Sequence, residues 1–176
     1  VLFEISESAL YQIDQELQNI NKFKVEVCPV IGSISDKKRL IRVCEYYGVN
    51  TIYHAAAYKH VPLVEYNKSQ GVINNTIGTM ILAEAAIKSN VETFVLISTD
   101  KAVRPSNFMG ASKRAAEIVL QALADLQHNT CFTMVRFGNV LDSSGSVIPL
   151  FKKQIKEGGP ITVTHIDVVR YFMTIP

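Results

Sequence analysis

The strongest constraint in this chain is the spacing of its apolar runs. Short strand-like runs at 24–31, 51–54, 93–97 and 130–137 alternate with helix-like stretches at 6–20, 36–47, 62–89 and 107–127. A parallel strand pair needs a crossover of a dozen or more residues, usually a helix, so this alternation predicts a parallel sheet. The strand runs are nearly continuous in apolar residues, the pattern of strands covered on both faces. The reading is an α/β chain with a doubly wound parallel sheet.

Local signals place the boundaries. Asp36 stands where a helix N-cap belongs and Gly48 where a helix stops, with Leu40, Val43 and Tyr47 on one stripe between them. Segment 62–89 reads as one long or broken helix, with Gly71 and Gly78 as the positions where it can break. Segment 107–127 is the most regular, with Ala115, Ile118, Val119, Ala122 and Leu126 at helical spacing. After Phe137 the rhythm changes: a loop at 138–145, a short helix at 147–156, a turn at Gly158-Gly159-Pro160 and a short strand at 161–164. The division expected is a sheet domain over 1–140 and the start of a second region over 141–176.

Charge and composition narrow the function. The net charge is +2 and the basic residues form no stripe, the longest cluster being Lys37-Lys38-Arg39. Nucleic-acid binding needs such a stripe, so no nucleic-acid partner is expected. Cys28, Cys44 and Cys131 lie in apolar patterns without metal-ligand spacing, and read as buried free thiols suited to a reducing, cytoplasmic setting. The histidines form no metal-ligating cluster, and no metal is expected. No run approaches the roughly 18 apolar residues that span a bilayer. Val1-Leu2-Phe3-Glu4 reads as the end of a strand, so the sequence is taken as a piece of a longer protein.

Doubly wound sheets bind ligands at the carboxyl ends of their strands. The run Phe94-Val95-Leu96-Ile97 ends there in Ser98-Thr99-Asp100-Lys101. Met109 and Lys113, four residues apart, share one face of the following helix. A hydroxyl, an acid and an amine at a strand end thus meet a helix that carries a second amine.

Residues 98–114, Ser-Thr-Asp-Lys-Ala-Val-Arg-Pro-Ser-Asn-Phe-Met-Gly-Ala-Ser-Lys-Arg, resemble the active-site block of the CapD-like polysaccharide-biosynthesis 4,6-dehydratases. These belong to the extended short-chain dehydrogenase/reductase superfamily, whose sheet is Rossmann-like, and act on UDP-N-acetylglucosamine. His54-Ala55-Ala56-Ala57-Tyr58-Lys59-His60-Val61 resembles their cofactor-side loop, and Asn75-Thr76-Ile77-Gly78-Thr79 the helix supporting the active site. Arg136–Leu141, Gly145–Pro149, Ile161–His165 and Arg170–Met173 resemble the start of their sugar-nucleotide region. The resemblance covers essentially the whole chain.

It implies NAD as cofactor and a UDP-sugar as substrate. Oxidation at C4 would acidify the C5 proton, water would leave across C5–C6, and hydride would return to C6. Asp100 would be the acid of the elimination and Lys101 its base. A dry site would favour the neutral form of each. Thr99 would hydrogen-bond the C4 oxygen. Lys113 would hold the nicotinamide ribose. Met109 stands where most of the superfamily carries tyrosine, and a thioether takes no proton, so Lys113 or a water on it is expected to replace the missing base. Glu4 would bind the adenosine ribose and favour NAD over NADP, with Ser33 and Ile34 near adenine. Ala55, Ala56, Ala57, Lys59 and Asn75 complete the cofactor side. Asn139, Thr162, Thr164 and Arg170 are the substrate candidates, Arg170 suited to a diphosphate.

The family opens with a strand and a glycine-rich turn that holds the pyrophosphate on a helix N-terminus. No such glycine spacing occurs here, so roughly 30 residues bearing it are expected outside this sequence. The methionine-bearing branch implies a parent anchored in a membrane with this domain facing the cytoplasm, and a homo-oligomer is compatible with it. The alternatives are an epimerase or reductase on the same scaffold, which Asp100-Lys101 argues against, and a non-catalytic binding or assembly module.

Overall fold

The computed structural model describes residues 1–20, 24–127, 129–141, 147–163, 167, 169 and 171–174. The chain divides into two compact units, Val1–Val135 and Arg136–Pro176.

The first unit carries two parallel ladders. Strand β1 (Leu2–Glu4) pairs with β2 (Pro29–Ile31), joined by helix α1 (Glu7–Ile20). Strand β4 (Thr93–Ile97) lies between β3 (Thr51–His54) and β5 (Cys131–Val135), in parallel register on both sides. The crossover from β2 to β3 is α2 (Lys37–Tyr47). The one from β3 to β4 runs through α3 (Val61–Tyr66), α4 (Lys68–Gly71), a π-helical segment (Val72–Ile77) and α5 (Gly78–Lys88). Helix α6 (Phe108–Leu126) returns the chain to β5. Among the described residues no ladder joins the β1–β2 pair to β3–β4–β5.

The expected caps of α2 are present. Asp36 accepts from Arg39 N at 3.0 Å. Gly48 adopts the left-handed conformation (φ 58°), and Val49 N reaches Cys44 O at 2.9 Å, which closes the helix end. The buried stripe is Leu40 and Cys44, with Ile41 packed against the core, whereas Tyr47 of the expected stripe is exposed.

The core lies where Phe94 and Leu96 of β4 meet Leu40 and Cys44 of α2, Leu82, Ala83 and Ala86 of α5, and Ala116 and Leu120 of α6. Residues alternating with these on the outer strands, Tyr53 and Val135, are exposed. The described residues thus leave those outer positions uncovered, contrary to the reading of strands buried on both faces. Cys131 is exposed, Cys28 half-buried and only Cys44 buried. Cys131 falls on the exposed side of β5, so its apolar neighbours do not enclose it.

Two further expectations change. The run 24–31 pairs only over Pro29–Ile31, because its partner β1 is three residues long and Lys24 takes a positive φ of 53° that breaks the extended chain. The helix over 62–89 is broken at the expected places, α4 ending at Gly71 and α5 starting at Gly78 with the π-helical segment between them, and also at Asn67 between α3 and α4. In the second unit, α7 (Val147–Lys156) forms as expected, but 161–163 is not a strand. Instead β6 (Asn139–Val140), inside the expected loop, pairs with β7 (Phe172–Met173). No helix among the described residues is long and apolar enough to cross a membrane.

Candidate active site at the strand carboxyl ends

The end of β4 turns into a single 3-10 turn, Asp100–Ala102, that groups the three expected polar residues. Thr99 caps it, its hydroxyl accepting from Lys101 N at 3.3 Å and donating to Asp100 Oδ1 at 3.0 Å. Lys101 Nζ donates to the same Oδ1 at 3.0 Å. Burial pushes the Asp100 carboxyl up, but the hydrogen bonds from Lys101 and Thr99 and the Lys101 charge outweigh it, and the net shift is downward. The acid is therefore ionised in this state of the protein, whereas the neutral pair is expected only at the moment of elimination, in a dry site. Asp100 and Lys101 are 40% and 26% exposed as side chains, so the turn is wet enough to favour an ion pair over two neutral groups.

Helix α6 is fastened against this turn. Asn107 accepts from Gly110 N at 2.8 Å, and Glu65 of α3 accepts from Phe108 N at 2.6 Å, so two of the helix's orphan donors are satisfied. A Cβ on Gly110 would overlap the carbonyl of Lys101, so only glycine permits this approach. Met109 is buried, one turn before Lys113. Lys113 is 5% exposed and donates Nζ–H to Ile97 O at 2.8 Å. Burial draws its ammonium from 10.5 to about 8, with Glu117 acting in the opposite direction.

A second set of polar contacts fixes the loop after β3. Asn75 is fully buried in the π-helical segment. Its Nδ2 donates to Tyr58 O at 3.1 Å and Ser112 Oγ at 3.0 Å, and its Oδ1 accepts from Tyr58 N at 2.8 Å and Asn74 Nδ2 at 3.2 Å. All four hydrogen-bonding positions of the amide are therefore taken within the protein. Thr79 Oγ1 donates to Asn75 O at 2.7 Å, so His54 Nε2, 2.8 Å from that oxygen, must carry the proton and donate. Burial, and then the Lys113 charge, push the His54 imidazole down to about 3, and it is neutral.

The remaining candidates are placed as follows. Glu4 ends β1 and accepts from Ser6 N at 2.8 Å. Ser33, beyond the neighbouring end of β2, accepts from Ser35 N at 3.1 Å. Ile34 is a core residue seated on Gly78. Ala56 packs against the core while Ala55 is exposed. Ala57 and Lys59 line a cleft of about 520 Å³ with Tyr58, His60, Leu63 and Val64. In the second unit, Asn139 belongs to β6 and Thr162 bonds Gln154. Thr164 and Arg170 lie outside the described residues. The first unit thus assembles Thr99, Asp100, Lys101, Met109 and Lys113 around one strand end.

Sequence reasoning missed Gly110, Ser112, Glu65, and the buried pair Ser98–Glu117, joined at 2.6 Å. One signal existed for Glu117: an acid four residues after Lys113, amid apolar residues.

The whole chain, residues 1–176, matches the family described as "Polysaccharide biosynthesis protein". It is 52% identical over 176 residues to the capsular polysaccharide biosynthesis protein CapD of Staphylococcus aureus, covering all of this chain and 29% of CapD. Among solved structures it resembles Pen from Bacillus thuringiensis, with 37% identity and a TM-score of 0.88 over 98% of this chain and 52% of that one. The fold also matches DesIV, a dTDP-glucose 4,6-dehydratase from Streptomyces venezuelae with NAD and TYD bound, with 21% identity and a TM-score of 0.78 over 98% of this chain and 67% of DesIV. The chain therefore spans less than a third of the curated relative and about half of Pen.

Proposed function

Because the chain belongs to the polysaccharide biosynthesis protein family, we propose that it is the catalytic segment of a nucleotide-sugar 4,6-dehydratase acting on UDP-N-acetylglucosamine in surface-glycan synthesis. The observation that carries this reading is the turn in which Thr99, Asp100 and Lys101 are bonded to one another, with the buried amine of Lys113 on the last carbonyl of β4, that of Ile97. An epimerase has no use for an acid–amine pair.

The dinucleotide NAD fits the residues in part. Glu4, at the end of β1, would offer a carboxylate to the adenosine ribose, and Lys113, at the end of β4, an amine to the nicotinamide ribose. The glycine turn for the pyrophosphate is not in this sequence. Asn75, whose amide is saturated, acts on the cofactor side by bracing the 55–60 loop. When bound, NAD would supply the hydride acceptor at C4 and the donor at C6.

The protein's own groups move the protons. With its pKa near 8, roughly a tenth of Lys113 is neutral at pH 7 and can take the C4 hydroxyl proton directly or through a water. The ion pair of Asp100 and Lys101 becomes an acid and a free amine by one proton transfer across 3.0 Å. A sugar that expels water from the turn favours that neutral pair. Lys101 then removes the C5 proton, Asp100 protonates the leaving C6 oxygen, and the pair returns to the charged form seen here. Lys101 gives its proton back at C5, and the proton released at C4 restores Asp100.

The test incubates the full-length protein with NAD and UDP-N-acetylglucosamine and weighs the product. A nucleotide sugar lighter by one water is expected, formed at least about 100-fold more slowly by Lys101→Ala and Asp100→Asn. A product of unchanged mass would replace the dehydratase with an epimerase.

A further inference from the structure

Glu117 has no accessible surface, and a carboxylate so placed is costly unless charged groups or donors face it. Ser98 Oγ donates to Oε1 at 2.6 Å and Arg114 Nη1 to Oε2 at 2.9 Å. Ser98 follows β4 directly and is held to β5 through Ser98 N–H to Val135 O at 2.8 Å. One turn earlier on α6, Lys113 holds the carbonyl of Ile97 at 2.8 Å. Positions i and i+4 of the helix therefore grip two consecutive residues, the last of β4 and the one after it, that lead into Thr99-Asp100-Lys101.

We propose that Glu117 is a positioning residue: through Ser98 it locks the end of β4 to α6, and its carboxylate is the countercharge one helical turn from the buried Lys113 amine. This rests on the active-site reading above for its consequence in turnover, but not for its measurement.

Few other charges compete for Lys113. His54 on β3 is neutral, and Arg114 is bound to Glu117 itself. Of the elements packed on α6, the π-helical segment bears no ionisable side chain and β5 only the exposed Cys131. Glu65 of α3 serves Phe108 N, and Lys68 of α4 lies 5.8 Å from the Phe108 ring. On α5, Glu84 is paired with Lys37, and Lys88 lies in the last turn. The 3-10 turn offers the internally paired Asp100 and Lys101. Glu117 is the carboxylate that acts on Lys113 against its burial.

The experiment titrates Lys113 in the full-length protein by NMR of isotopically labelled lysine, and records the pH dependence of turnover in parallel. Glu117→Gln keeps the shape and removes the charge, and is expected to move the Lys113 titration down by about one unit. Glu117→Asp keeps the charge but shortens the reach to Ser98. It is expected to hold the titration near the wild-type value while kcat falls about tenfold at unchanged KM for the sugar. A Lys113 titration unmoved by Glu117→Gln overturns the proposal, whatever the substrate. If Glu117→Gln does not fold, Glu117→Asp decides alone: full activity, or a titration displaced by a unit, overturns it. A wild-type protein that releases no water but shows the Lys113 shift supports Glu117's role and counts only against the dehydratase reading.

Discussion

At the scale of single residues, two opposing effects meet at Gly110. Alanine is better than glycine inside a helix by about 1 kcal/mol. Here its methyl group would overlap the backbone carbonyl of Lys101, which has no flexible end to move aside. Such overpacking costs about 1–3 kcal/mol, so the clash should win. Gly110→Ala is expected to lower the midpoint of thermal unfolding by a few degrees and turnover by more than tenfold; a raised midpoint would show that α6 shifts freely. A second expectation concerns Asp100. Burial raises its pKa, and Lys101 is the main group that overrides it. Removing that side chain in Lys101→Ala should raise the Asp100 carboxyl relative to the wild type in a carboxyl NMR titration; an unmoved titration would show that Lys101 does not hold it down. The acid–amine pair and Lys113 were legible as residue types at a spacing. Their protonation was not, because it depends on a hydrogen bond and on exposure that a string of letters does not contain.

Among the elements, the π-helical segment turns Asn75 inward, where it ties the loop after β3 to Ser112 of α6. Single π-type turns are often found at functional sites. His54 is the other end of this brace. Its native pKa lies near 3 against 6.5 when unfolded, so between those values the unfolded chain binds more protons. Stability is therefore present above pH 6.5 and lost as pH falls from there toward 3. The slope is about 1.4 kcal/mol per pH unit for one proton. His54→Gln is expected to flatten that acid limb in urea unfolding measured from pH 6.5 down to 4; an unchanged slope would mean the ring is not held neutral. On α6 the periodicity was right and the face was wrong. Ile118 and Leu126 of the expected stripe are 51% and 80% exposed, whereas Lys113 and Glu117 are buried. A hydrophobic pattern cannot select two charged residues for the inside. Their burial is favourable only because the β4 backbone and Ser98 wait for them.

For the whole molecule, the notable feature is the pair of ladders, β1–β2 and β3–β4–β5, that share one compact unit with no ladder between them among the described residues. If the pyrophosphate is held by a glycine turn outside these 176 residues, the isolated segment should bind NAD at least about 100-fold more weakly than the full-length protein in calorimetric titration. That corresponds to one or two lost hydrogen bonds to charged oxygens. Equal affinities would place the whole cofactor site within this sequence.

The order of strands and helices, the caps of α2 and the chemistry-bearing residues after β4 were determined by the sequence alone. Apolar period, capping groups and short polar motifs are local properties. Only tertiary structure decided that 161–163 forms no strand while Phe172–Met173 pairs with Asn139–Val140, that Asp100 is ionised, and that Glu117 is buried along with Lys113. Each of those depends on which distant backbone group is within reach, and reach is a property of the folded chain.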